Sequence, residues 1–69
     1  MTDTQELRKI IEVSGLKYKN IAEFLQITPF GLQKKINNVT EFKSSEIKKM
    51  CNILGINSLE QKEKIFFAE

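Results

Sequence analysis

The chain has 69 residues, 41% of them hydrophobic, with eleven Lys and Arg against nine Asp and Glu for a formal net charge of +2. Those values describe one globular domain, residues 1–69, with a single small core, and exclude a disordered acidic or basic tail. One cysteine and no histidine exclude an internal disulfide framework and any ordinary zinc site.

The first helix is expected to start near Thr2 to Thr4. Thr2 with Gln5 has the spacing of a capping box, and Asp3 and Glu6 suit the positive end of a helix. Leu7, Ile10, Ile11 and Ser14 share one face, and Gly15 ends the helix. The helix reads as scaffold, without a functional signal. Leu16 then anchors the entry to a second helix, about Tyr18 to Leu25, whose buried side is Ile21, Ala22 and Leu25. Phe24, where the pattern of the stretch would have a polar residue, either extends the core beneath the first helix, the favoured reading, or marks a contact surface.

A turn, Leu25-Gln26-Ile27-Thr28, leads to a third helix, about Pro29 to Asn37. Thr28 is a favoured N-cap, and Pro29 suits the first helical position because its missing amide proton is not needed there. Leu32 and Ile36 turn inward. The opposite face carries Phe30, Lys34 and Asn37, flanked by Gly31 and Gln33. Helices as short as the second and third must pack on each other and on the rest of the chain.

In the loop Asn37-Asn38-Val39-Thr40, Asn37 or Asn38 is expected to take the left-handed conformation that ends a helix. Phe42 should pin this loop to the core. A fourth helix begins at Ser44 or Ser45, with Ser44 as the expected cap, and buries Ile47, Met50, Cys51 and Leu54 along one stripe. Cys51 thus reads as a small hydrophobe. Gly55 ends that helix and Ile56 packs back. Asn57 or Ser58 caps a fifth helix running to about Phe67, with Leu59, Ile65 and Phe66 expected to close the core. Phe66 and Phe67 form an aromatic pair that could serve as a homodimer surface.

No enzyme is legible: the sequence has no histidine, no glycine-rich phosphate loop, no spaced metal ligands and no paired carboxylates placed in a predicted pocket, and no cofactor is expected. No apolar run reaches the length of a membrane span or signal peptide, so a cytoplasmic location is expected, with neither a membrane nor a small-molecule substrate as partner. Charge is unevenly distributed. Between Lys17 and Lys49 stand seven lysines (17, 19, 34, 35, 43, 48 and 49) against Glu23, Glu41 and Glu46, a local net of +4. A basic middle between acidic ends is what a DNA-facing side would show.

Ile21, Ala22, Leu25, Ile27 and Leu32 occupy the positions that make this stretch resemble the helix-turn-helix of phage Cro/repressor-type proteins, the lambda-repressor-like or XRE group. The resemblance runs from about Leu7 to Phe67. It is strongest toward small phage regulators with an asparagine loop (Asn37-Asn38), the run Phe42-Lys43-Ser44-Ser45-Glu46-Ile47 and a terminal Phe66-Phe67. It implies an all-α, compact five-helix domain with the helix-turn-helix at helices 2 and 3, acting as a sequence-specific transcriptional regulator of the phage or prophage kind. It also implies a left-handed residue at Gln26, where the family usually has Gly. The recognition helix would be Pro29 to Asn37, in the major groove of double-stranded DNA.

With the third helix in that groove, Gln33 and Asn37 can pair with adenine, Lys34 with guanine or a phosphate, and Phe30 with a thymine methyl. Thr28, Pro29 and Gly31 form the helix start, whose amides can hold a phosphate. Lys17, Tyr18 and Lys19 at the start of the second helix, and Asn38, Thr40 and Lys43 in the following loop, are the remaining candidate DNA contacts. For Tyr18 the alternative is a half-exposed ring packed on Leu16. The competing function is a protein-binding module on the same fold, an antirepressor or antitoxin-like partner, which the apolar Pro29-Phe30 would suit.

Overall fold

Local signals account for most of the helix ends. In the computed structural model, which describes all of Met1–Glu69, five helices follow one another: α1 (Thr4–Ser14), α2 (Tyr18–Phe24), α3 (Pro29–Ile36), α4 (Ser44–Leu54) and α5 (Leu59–Phe66). There are no strands. Gly15 and Gly55 follow α1 and α4 with φ of 77° and 71°, a left-handed conformation that glycine adopts without steric cost. Thr28 and Ser58 cap α3 and α5 by accepting from the backbone N–H of Gly31 and Gln61, so of the two candidates for α5 the cap is Ser58.

Two caps differ from expectation. Asp3, not Thr2, caps α1, accepting from the Glu6 N–H at 3.1 Å. Thr2 is instead buried, and its backbone N–H donates to Asn38 Oδ1 at 2.8 Å. At α4 the cap position is Lys43 rather than Ser44, which is already helical. An ammonium has no lone pair with which to cap, so only the reciprocal half of the box forms: Lys43 N–H donates to Glu46 Oε1 at 2.8 Å.

The core is one cluster: Leu7 and Ile11 from α1, Ile21, Ala22 and Leu25 around α2, Leu32 and Ile36 from α3, Ile47 and Met50 from α4, then Ile56, Ile65 and Phe66. α2 packs on α3, while α1 touches α3, α4 and α5 and so forms the central post of the bundle. The fully buried Ala22 has only a methyl group to place between α2 and α3, which suits their close approach. The Cα radius of gyration is 10.7 Å, close to the roughly 11 Å expected of a compact chain of this length. No helix is long and apolar enough to cross a membrane.

Three side chains expected on inner faces, two of them apolar, are not there. Phe24 is 43% exposed and Leu59 69% exposed, while Ser14, expected on the inner face of α1, is exposed and bonds back to the Ile11 carbonyl. Cys51 and Leu54 are half-buried rather than buried. Phe24 is the last residue of α2 and Leu59 the first of α5. At a helix end the apolar stripe continues in sequence, but the neighbouring helix no longer covers it.

The N-terminal segment acts as a strap. Asn38, with φ of 64°, accepts from Thr2 N–H through Oδ1 and donates through Nδ2 to the Thr2 carbonyl at 2.9 Å. Thr4 Oγ1 donates to the Ile36 carbonyl at 2.6 Å, and Asp3 N–H donates to the Ile65 carbonyl at 2.7 Å. Three segments distant in sequence, the start of α1, the end of α3 and the end of α5, are thereby joined.

Candidate nucleic-acid interface

The turn between α2 and α3 sets the direction of α3. Gln26 takes φ of 60°, the left-handed value that the family resemblance implies there, and the Ile27 N–H donates to the Ala22 carbonyl at 3.0 Å. Thr28 then caps α3 through Gly31. A Cβ on Gly31 would lie 3.1 Å from Thr28 Oγ1, so Gly31 makes room for the hydroxyl. Pro29 and Phe30 are exposed, Phe30 at 74%. Lys34 places its Nζ 5.6 Å from the centre of the Phe30 ring, a cation–π distance.

Behind that first turn lies a polar cluster assembled from three helices. Its centre is Arg8 of α1, the only arginine in the chain. Nη2 donates to Gln33 Oε1 at 2.8 Å and to Asn37 Oδ1 at 3.0 Å, and Nη1 donates to Tyr18 Oη at 3.3 Å. The guanidinium carbon also sits 5.6 Å from the centre of the Tyr18 ring. Tyr18 is half-buried, its ring packed against the core and its hydroxyl joined to the cluster. Arg8 is the residue that sequence reading missed. The one signal in the sequence was its being the single guanidinium among eleven cations.

The cluster contains no carboxylate. The only ion pair in the molecule joins Lys35 and Glu46 at 2.9 Å, which leaves Arg8 and the other lysines, including Lys17, Lys19, Lys34 and Lys43, without an acidic partner. Lys17, Lys19, Thr40 and Lys43 are exposed, as expected of residues that could meet a phosphate. Asn38 differs. Its side-chain amide is engaged at both ends by Thr2, so it closes the strap rather than standing free. Lys35 also donates to the Glu41 carbonyl at 3.0 Å and faces α4 rather than the α3 front.

Glu46 is a structural carboxylate. Desolvation pushes its carboxyl up, but the Lys43 backbone N–H and the Lys35 ammonium together outweigh this and hold it below the ordinary range. Cys51, on α4, has its thiol pushed up by burial, which outweighs the nearby Lys62 charge, and so is poorly suited to act as a nucleophile at neutral pH. At the far end of the chain Phe66 is buried and packs edge-on against Phe42 with ring centres 5.5 Å apart. The expected Phe66–Phe67 dimer pair is thus split: Phe66 belongs to the core, and only Phe67, 56% exposed, is left at the surface near Leu59. No family model matches the chain, and no curated protein or solved structure is significantly similar to it.

Proposed function

We propose that this protein is a sequence-specific DNA-binding regulator that lays α3 in the major groove, in the manner of the Cro/repressor-type helix-turn-helix proteins its sequence resembles. The observation that carries the reading is the front of α2 and α3. There Arg8 donates to Tyr18, Gln33 and Asn37, none of them acidic, and Lys17, Lys19 and Lys34, which flank Tyr18 and Gln33 in sequence, have no carboxylate partner. Unbalanced positive charge beside amide side chains on an accessible helix suits a polyanion that also carries base edges to read. The eight residues of α3 span about 12 Å, comparable to the width of the major groove.

In this reading Phe30 lies against a thymine methyl at the leading end of α3, while Lys34, Lys17, Lys19 and Lys43 approach phosphates. The Phe30 N–H, the one amide in the first turn of α3 left without a partner, can hold a phosphate. Binding as a homodimer would use Phe67 and Leu59 rather than Phe66. The setting would be the cytoplasm of a bacterial host, with transcription as the process controlled. The exposed Phe30 favours one other reading, a protein partner whose apolar pocket takes the ring as an anchor.

Titration separates the two. Duplexes would be selected from a randomised pool, and wild type and Phe30→Ala compared on a selected and a scrambled duplex between about 50 and 200 mM salt. The DNA reading expects steep salt dependence and a loss of roughly 1–3 kcal/mol for Phe30→Ala on the selected duplex alone. Equal, salt-insensitive binding of both duplexes by the wild type would refute it.

A further inference from the structure

A guanidinium carries only donors, so whatever amide atom faces Arg8 must be the oxygen. That removes the usual ambiguity between the two ends of a Gln or Asn side chain. Both N–H groups of Arg8 Nη2 are used, one on Gln33 Oε1 at 2.8 Å and one on Asn37 Oδ1 at 3.0 Å. Gln33 lies on α3 and Asn37, four residues on, is its C-cap; both side chains are bonded through their oxygens alone, which leaves the amide nitrogens without a partner in the protein. The Tyr18 hydroxyl accepts from Nη1, which leaves its own O–H to donate. Each oxygen keeps a second lone pair, but only the amide nitrogens and the Tyr18 O–H are left wholly unpaired, so this cluster offers the outside chiefly donors.

We infer that Arg8 sets the base preference of α3, converting Gln33 and Asn37 from adenine readers into donors that select guanine. The inference rests on the DNA-binding reading and refines it. An amide recognises adenine by using both ends at once: its oxygen accepts from the N6 amino group while its nitrogen donates to N7. Here the Arg8 guanidinium holds one lone pair of each oxygen and sets a cation beside the other, so an incoming N6 amino donor is disfavoured there while the unpaired amide nitrogens stay free to meet acceptors. Guanine presents two acceptors, N7 and O6, in the major groove. An amide NH2 turned outward satisfies those acceptors without freeing its oxygen. Arg8 is thus a positioning residue, acting through Gln33 and Asn37 rather than on the base.

Three contacts and the Tyr18 ring hold the guanidinium, so the arrangement exists before DNA arrives. The sequence alone suggests the opposite preference, since Gln and Asn on a recognition helix pair naturally with adenine.

The test is selection from a duplex pool with a randomised core, run on the wild type and on Arg8→Met, with thermal melting of both. The wild type should select guanine at one or two positions, and replacing that guanine by 7-deazaguanine should weaken binding roughly tenfold. Arg8→Met should keep its affinity for unselected DNA to within the loss of one cation and shift the guanine-to-adenine ratio toward adenine by roughly tenfold. A variant that merely loosened the fold would lose both affinities together and leave the ratio alone. Selection of adenine by the wild type, or an unchanged ratio in a folded Arg8→Met, would overturn the inference while leaving DNA binding intact. If Arg8→Met does not fold, Gln33→Ala and Lys34→Ala decide instead: loss of the 7-deazaguanine effect in Gln33→Ala supports the inference, and its loss in Lys34→Ala alone overturns it. Failure of the wild type to select any sequence would instead remove the DNA reading itself.

Discussion

Arg8 and Glu46 each anchor a polar cluster to α3, the first reaching it from α1 and the second from α4, and the two clusters are built on opposite principles. Glu46 is charge-balanced: its carboxylate, 9% exposed, meets the Lys35 ammonium and the Lys43 backbone N–H. Arg8 meets only neutral oxygens, on Tyr18, Gln33 and Asn37. A balanced pair has its partners within the fold and gains nothing from a ligand. A cation held by neutral acceptors keeps its charge for an outside anion. Lys34 and Lys35 show the same division one residue apart, because successive helical positions point about 100° apart. Lys34 lies along the Phe30 ring, while Lys35 is drawn to Glu46.

The largest expected effect removes what both clusters hang from. Leu32 is fully buried on the inner face of α3, and Leu32→Ala should cost roughly 2–5 kcal/mol in urea or thermal unfolding. Leu54→Ala should cost less, because that side chain is only half-buried. A Leu32→Ala melt superimposing on the wild type would mean that the inward face of α3 is assigned wrongly.

Glu46→Ala breaks the balanced cluster, leaving Lys35 and the Lys43 N–H unpaired, and should cost about 1–3 kcal/mol. The pH dependence has a definite sign. Because the folded carboxyl lies below its ordinary value, its contribution is complete above the unfolded pKa and is lost as pH falls below about 5 toward the folded pKa. Urea midpoints of wild type minus Glu46→Gln should narrow across that range. A difference that stays constant from pH 7 down to about 3 would show that the pair contributes nothing through its charge.

The two neighbouring lysines sharpen the comparison. Lys34→Ala should weaken DNA binding and flatten the log–log salt slope by about one unit, as should Lys43→Ala, if each meets one phosphate. Lys35→Ala should lower the melting temperature and leave the slope as it is. Equal slopes for Lys34→Ala and Lys35→Ala would erase the distinction between the two clusters.

The smallest effects concern the two left-handed residues. Gln26 has no side-chain bond and Asn38 has two to Thr2. Gln26→Gly should raise stability by up to about 1 kcal/mol through relief of strain. Asn38→Gly should lower it by about 0.5–1 kcal/mol, since the lost bonds outweigh the same relief. Chemical denaturation of both variants checks the opposite signs.

Much of this molecule was set by residues acting on their near neighbours. Thr28-Pro29 starts α3 and Gly15 and Gly55 end α1 and α4 because capping and left-handed turns are settled within a few bonds. The pairs Leu7–Ile11, Ile21–Leu25 and Leu32–Ile36 face inward because helical spacing aligns them. Spacing marks an apolar stripe but not whether another helix lies over it, and so Phe24 and Leu59 look like core in the sequence and lie at the surface in the fold. Asn38 looked free because its partner, Thr2, lies 36 residues away. The candidate site divides in the same way. Phe30 and Lys34 were visible from the third helix alone, whereas Arg8 reaches Gln33 and Asn37 across 25 and 29 residues. Only the packing of α1 on α3 brings a lone guanidinium to those amide oxygens, since a hydrogen bond between distant residues leaves no periodic trace along the chain.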